Sequence, residues 1–461
     1  MNKNISRRDF MRCMGLLTAS AVLPWELASP QSIAAKELRA NLLGQVQYIK
    51  PAMLPKVIFI FLYGGPSELA GNLTNIAEIN AYSQNKYPAN ILPTTMNNVI
   101  TPNSFWGTAG GTVMESLIAS KEMSIYRTIH RIKDDNKAHE LSVLQNLIGN
   151  KTIEGPGIAT VLAAIMAANQ AFNKPVDQLL LPFVSFEGDS VVFQLGGVTL
   201  SAQLKVTSLD SSFRNPYSRA SNSFLGTQDA IIEALSRKIS ATLGATHEKM
   251  NEAFDRRATL DDFITKNFSK DIVNKNLPSE ILYPDTNFGN RLKAAMALAT
   301  NSPDTLFVSL GGTGLGGWDD HSDAITNYTK RMEELMQAIN VAVQHMKSLG
   351  RNDIIINIFG DFGRNVNLNN SAGWDHGNNQ NLYTVGGSTI RPLALGKIVG
   401  NTERIGTGFQ NRQFTAPTSD SYQCEPFSIA SSIYKYFGVQ NPEILTGEAA
   451  IDELTPRNEK I

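Results

Sequence analysis

The sequence predicts an α/β fold: a doubly wound, mostly parallel sheet with helices on both faces. Three observations carry that expectation. Apolar, β-prone runs recur along the chain and most are closed by glycine. These runs are nearly continuous rather than alternating, as strands covered on both faces must be. Between them lie segments whose apolar residues recur at three- and four-residue steps, the period of a helix with one buried face.

The first run, Lys56 to Leu62, is ended by Gly64-Gly65-Pro66 and reads as a buried strand. Met123 to Ile129 reads as a second strand. Leu179 to Phe186 and Val191 to Leu200 read as two more, with Gly188 and Gly196-Gly197 as breakers. Thr305 to Leu310 and Ile354 to Phe359 complete the set, each followed by glycine. The clearest helix runs from about Ser322 to Leu349, with Ile325, Tyr328, Met332, Leu335, Met336, Ile339, Val343 and Met346 on one stripe and Gly350 as its stop. Asp320 and Ser322 are natural caps for it. Thr227 to about Lys266 is helical in pattern with a break at Gly244, and Phe427 to Phe437 gives a C-terminal helix ended by Gly438. Residues 201–226, rich in Ser, Asn and Arg, are expected to be a surface insertion within one domain.

The 461 residues allow a large core, and a formal net charge of -1 supplies no overall field to draw the molecule to nucleic acid or an anionic membrane. The N-terminus has the form of a targeting signal. Ser6-Arg7-Arg8-Asp9-Phe10-Met11-Arg12 pairs two arginines ahead of a weakly apolar run, Met14 to Leu23, too short to span a bilayer. Ser32-Ile33-Ala34 offers small residues for a signal peptidase. We therefore expect residues 1–34 to be a twin-arginine signal peptide read by the twin-arginine translocase. Residues 35–461 would then be one periplasmic domain without a transmembrane segment. Of the two cysteines, Cys13 falls in the signal, which leaves Cys424 and no internal disulfide.

Ligands of open parallel sheets bind beyond the carboxyl ends of the strands, and the chemically able residues fall in such loops. Gly64-Gly65-Pro66-Ser67-Glu68 follows the first strand, and His130 and His139 follow the second. Gly317-Trp318-Asp319-Asp320-His321 follows the run ending at Leu310. Gly360-Asp361-Phe362-Gly363-Arg364 and Gly373-Trp374-Asp375-His376-Gly377 follow the run ending at Phe359. Imidazoles and carboxylates converging from separate loops are the usual ligand set for zinc or a similar divalent ion. Ser67 either caps a turn or serves the site. His345, off the apolar stripe of its helix, and His247, in a charged stretch, are expected to be solvated.

Taken in order, the twin arginines, Leu62-Tyr63-Gly64-Gly65-Pro66-Ser67, Gly317-Trp318-Asp319-Asp320-His321, Phe359-Gly360-Asp361-Phe362-Gly363-Arg364 and Asp375-His376-Gly377 resemble the bacterial family known as domain of unknown function 1501. That family looks like a branch of the alkaline phosphatase and sulfatase superfamily, and Arg127-Thr128-Ile129-His130 is similar to its Arg-Ser-Met-His segment. The resemblance implies an alkaline phosphatase-like fold in which Asp319, His321 and His376 hold one metal ion and Asp361 serves a second. It further implies a hydrolase of sulfate or phosphate esters, with Arg364 neutralising the anionic ester and His139 or His130 acting as general acid or base. The chain departs from the pattern at Asp361, which replaces a glutamate, at Ala138, which replaces an asparagine, and at Glu68 and Ala70. No hydroxyl or thiol clearly fills the nucleophile position, although Thr128 is near in sequence. The alternative is a non-catalytic envelope protein that keeps the fold and binds a polymer or partner.

Overall fold

The computed structural model describes residues 43–73, 87, 101–131, 133, 136–218, 224–243, 248–405 and 415–454. The expected signal peptide (1–34), His247 and the Gly244 break lie outside them. Strands β1 (Lys56–Leu62), β2 (Met123–His130), β3 (Phe183–Ser185), β4 (Thr207–Ser208), β5 (Phe307–Gly311) and β6 (Ile354–Gly360) are followed by a hairpin, β7 (Gly363–Leu368) and β8 (Trp374–Gly377). Then come β9 (Asn379–Gly386), β10 (Ile398–Val399), β11 (Thr402–Arg404) and β12 (Thr415–Pro417). The central sheet has eight strands in the order β10-β2-β9-β6-β1-β5-β3-β4. β1 lies between β5 and β6 and is parallel to both. The apolar runs of β1, β5 and β6 are thus neighbours and end at one edge.

The helices are α1 (Gly111–Ala119), α2 (His139–Ile148), α3 (Ile158–Ala168), α4 (Phe224–Leu243), α5 (Glu248–Asn267), α6 (Lys270–Asn276), α7 (Asn287–Asn301), α8 (Ala324–Ser348), α9 (Phe427–Tyr436) and α10 (Glu443–Thr446). Successive β1 side chains divide between two cores, because a strand turns alternate residues to opposite faces. Ile58, Ile60 and Leu62 pack with Met114 of α1, Leu292 of α7 and Met332, Leu335 and Ile339 of α8. Val57, Phe59 and Phe61 pack with Leu147 of α2, Leu162 of α3 and Ile433 of α9. The sheet is therefore doubly wound and mostly parallel, with helices on both faces. Every residue of β1 is buried, so its continuous apolar run follows directly from its place. Phe59 meets Phe359 edge-on at 5.3 Å between ring centroids. Truncating such a side chain to alanine costs about 3–5 kcal/mol.

Several local expectations change. β9 runs antiparallel to both β2 and β6. The chain leaving β6 spends its next residues on the β7–β8 hairpin, with no crossover helix to carry it back to the start of the sheet. Val191–Leu200 is not a strand. Val191–Phe193 forms a 3-10 turn, and Gly188, Gly196 and Gly197 all take positive φ. Its backbone is instead tied to α3, through Thr160 Oγ1 to the Phe193 carbonyl and Gly157 N to the Gln194 carbonyl. Of Leu179–Phe186 only β3 is strand, because Leu181 sits at φ 53° just before it. Within residues 201–218, Thr207–Ser208 forms edge strand β4, and Phe213 and Tyr217 pack on the core.

α8 begins at Ala324, later than expected. Asp323 and Ala324 donate their N–H groups to the Ser371 and Ala372 carbonyls of the hairpin loop, so backbone does the capping. Asp320 instead forms a buried ion pair with Arg331. His345 is buried, not solvated, with Nδ1 3.1 Å from the Tyr283 hydroxyl. Burial, helped by the Lys293 charge, pulls it down to about 4. Among the described residues no helix is long and apolar enough to cross a membrane.

Candidate metal centre

The loops after β1, β5 and β6 meet at the carboxyl edge of the sheet, and two backbone constraints bring them together. Gly64 has φ 106°, and a Cβ there would stand 2.6 Å from the Asp319 nitrogen, so only glycine allows the β1 and β5 loops to touch. Within the hairpin, Arg364 and His376 are register partners. His139, the first residue of α2, arrives from the third side.

Four donors converge. One ligand atom from each of His139, Asp319, His321 and His376 lies within 4.8 Å of all the others. His376 Nε2 is 3.1 Å from His139 Nε2 and 3.2 Å from His321 Nε2. Asp319 Oδ1 lies 3.2 Å from His139 Nε2, 3.0 Å from His321 Nε2 and 3.9 Å from His376 Nε2. Ligands at about 2.0–2.1 Å from a tetrahedral ion stand roughly 3.3 Å apart, so these separations suit one.

The partners behind the rings fix their tautomers. His376 Nδ1 lies 2.6 Å from the Lys137 carbonyl, which can only accept, so the neutral ring carries its hydrogen on Nδ1. His139 Nδ1 lies 2.6 Å from Asp361 Oδ2 and is held in the same way. Both Nε2 atoms therefore turn lone pairs toward each other and toward a carboxylate oxygen. Such an arrangement repels itself until a proton or a metal ion stands between the donors.

The electrostatics follow from these contacts. The Asp361 hydrogen bond raises the His139 pKa against the opposing effect of burial. Burial lowers that of His376, against the Lys137 carbonyl and with help from Arg364. For Asp319, burial alone would raise the carboxyl, but the Arg364 hydrogen bond and charge outweigh it and hold it below its ordinary value. The side chains of Asp319 and His321 are each 47% exposed, so the cluster is open to solvent on one side. Phe362 closes the other side, its ring 4.5 Å from His139 and 4.7 Å from His376.

Asp319, His321 and His376 come together, the fourth residue of their cluster is His139, and Asp361 stands on the far side of the His139 ring. Asp361 is fully buried behind His139, and its Oδ1 has no hydrogen-bond partner. Arg364 is buried beside Asp319. Its side chain is enclosed and spent on the Gly64, Gly65, Trp318 and Trp374 carbonyls and on Asp319, which it holds at 2.6 Å. Ser67 is buried as well. Its Oγ accepts from the Leu69 nitrogen and its carbonyl from the Tyr328 hydroxyl, so it shapes the turn. His130 ends β2, opposite Asn379, and lies outside the four-donor group. Thr128 is buried with Oγ1 donated to the Tyr422 carbonyl.

The burial of one of these loop residues has no sign in the sequence, where a glutamate after a turn reads as surface. Glu68 is fully buried and accepts from Thr415 Oγ1 at 2.6 Å and from Asn379 Nδ2. Burial pushes its carboxyl up to about 7, against those hydrogen bonds and the Arg127 charge.

Fold and site thus define an α/β protein whose sheet edge carries an imidazole–carboxylate cluster able to hold a metal ion. The chain belongs to the family described as Protein of unknown function (DUF1501), whose profile matches residues 55–419. No curated protein matches it. Among solved structures it is similar to the alkaline phosphatase from the Antarctic bacterium TAB5, at 10% identity over 72% of this chain and 92% of that one, with a TM-score of 0.30. A likeness that slight transfers no residue role.

Proposed function

We propose that the protein is an exported, metal-dependent hydrolase of sulfate or phosphate esters, with His139, Asp319, His321 and His376 holding a divalent ion of the zinc type. The observation that carries this reading is the convergence of imidazole lone pairs on one carboxylate oxygen, with the hydrogens of two rings already given to Asp361 and Lys137. A purely structural ion is ordinarily closed off by its ligands, whereas here two of the four donors are about half exposed. A bound ion would supply a Lewis acid for an ester oxygen and lower the pKa of water. The residues around it hold the donors in place. Arg364 fixes the Asp319 carboxylate, Asp361 fixes the His139 tautomer, and the Lys137 carbonyl orients His376. Arg364 is withdrawn from the ester, whose negative charge is left to the centre itself.

A second reading, a non-catalytic envelope binding protein, is favoured by one observation. Among the described residues, the hydrogen bonds of the four donors reach no hydroxyl or thiol. Metal analysis of the mature protein, with hydrolysis of aryl sulfates and phosphates followed in parallel, separates the two. We expect about one ion per chain. In the His321→Ala/His376→Ala variant we expect less than about a tenth of that, with a lower melting temperature because a ligand of the native state stabilises it. Wild-type protein purified without chelator and free of metal would refute the centre. Full metal without turnover of any ester would favour the binding protein.

A further inference from the structure

Beside the four donors lies a cleft of about 630 Å³, lined among the described residues by Tyr63, Gly64, His139, Glu140, Val143, Leu144, Asp319 and Asp361. Its composition is uneven. One wall is the first turns of α2, where His139 and Val143, and Glu140 and Leu144, are pairs four residues apart and so lie along neighbouring stripes of one helix face. Val143 and Leu144 are half-buried and Glu140 is exposed. Tyr63 faces this region from the end of β1. Its ring is braced by Phe61 at 4.9 Å, and its hydroxyl is tied to Glu187 at 3.1 Å. A preformed wall of one rigid aromatic and two aliphatic side chains beside a polar centre is the usual build of a site for an apolar substituent.

The charges of the lining point the same way. Glu140 and Asp319 are acidic, Asp361 is buried behind His139, no lysine or arginine is among the lining residues, and the guanidinium nearest Asp319 is enclosed. A phosphate monoester, close to a dianion at neutral pH, meets more repulsion in such a cleft than a sulfate ester or a phosphodiester with a single charge.

Resting on the metal-centre reading above, we infer that this cleft takes a singly charged ester bearing an apolar group. Tyr63, Val143 and Leu144 seat that group, and Glu140 at the mouth selects against a second negative charge. None of these four side chains belongs to the donor set, so they can be altered without removing the metal.

Binding of 2-naphthalenesulfonate to the metal-loaded protein, followed by its fluorescence, tests the apolar wall without requiring turnover; methanesulfonate as competitor and 2-naphthyl phosphate as a doubly charged analogue complete the set. We expect naphthalenesulfonate to bind at least about tenfold more tightly than methanesulfonate. Val143→Ser and Leu144→Ser should each weaken naphthalenesulfonate about tenfold and leave methanesulfonate and metal content unchanged. Glu140→Gln should improve 2-naphthyl phosphate several-fold relative to the sulfonate. Equal binding of the two sulfonates, or serine variants that bind naphthalenesulfonate as wild type does, would overturn the apolar subsite. A Glu140→Gln variant with an unchanged phosphate-to-sulfonate ratio would overturn the charge selection. Failure of the metal centre shows separately, as absence of the ion before any ligand is added.

Discussion

Glu68 and the three clustered histidines show how single side chains acquire properties that their types alone do not give. Glu68 follows a Gly-Gly-Pro-Ser turn, and the fold closes over it completely, so the cost of burying a charge falls on its carboxyl. Its pKa rises from 4.5 to about 7, which means that the folded chain holds this proton more tightly than the unfolded one. Stability from the protonated group is therefore complete below about pH 4.5 and is lost as pH rises through about 7. It then stays constant above that range. Glu68→Gln, which mimics the protonated group, should flatten this slope. It should stabilise the protein at pH 8 by up to on the order of 3 kcal/mol. Chemical denaturation of both proteins at pH 5 and pH 8 measures it, and a variant less stable than wild type at pH 8 would show that the charge is needed. The histidines behave in the opposite sense: it is the committed Nδ1 of His139 and His376, not burial, that defines their role.

At the scale of elements, the site depends on how closely loops approach. The β1 and β5 loops touch where Gly64 passes the backbone of Trp318 and Asp319, at a φ that side chains rarely adopt. Gly64→Ala should combine backbone strain of about 1–3 kcal/mol with displacement of Asp319, lowering the melting temperature and metal content together. Gly317→Ala in the same loop is the control, since a Cβ there meets nothing within 4 Å. Calorimetry and metal analysis of the pair check this, and a Gly64→Ala protein with wild-type metal content would refute it. The β7–β8 hairpin acts as a second organiser. It places Arg364 beside His376, and its loop also caps α8 through the Ser371 and Ala372 carbonyls. Loss of the hairpin's register would therefore disturb His376, the arginine that holds Asp319, and the start of α8.

For the whole molecule, we propose export of a folded cargo on the strength of the Arg7-Arg8 pair, a reading that fits the dependence of the site on distant loops. Arg7→Lys with Arg8→Lys should leave the full-length precursor in the cytoplasm, because the pair is read by a receptor rather than by charge. Processed protein in the periplasm of cells carrying that variant would exclude the route. The sequence by itself determined the central architecture. β1, β5 and β6 are buried on both faces, so their composition records their position, and the stripe of α8 records its packing face. It also determined that Asp319, His321 and His376 share an edge, since each follows a strand of that sheet. Only the tertiary structure decided the remainder. That β9 is antiparallel, that Val191–Phe193 turns back on α3, and that His345 lies beneath Tyr283 depend on partners far away in the chain. The same holds where His139 takes the place beside the other donors, Asp361 stands behind it, and Arg364 is enclosed by four carbonyls. Local pattern encodes whether a residue is buried, because burial selects residue type. Which groups a side chain meets there is set by the meeting of loops distant in sequence, and no local pattern encodes that.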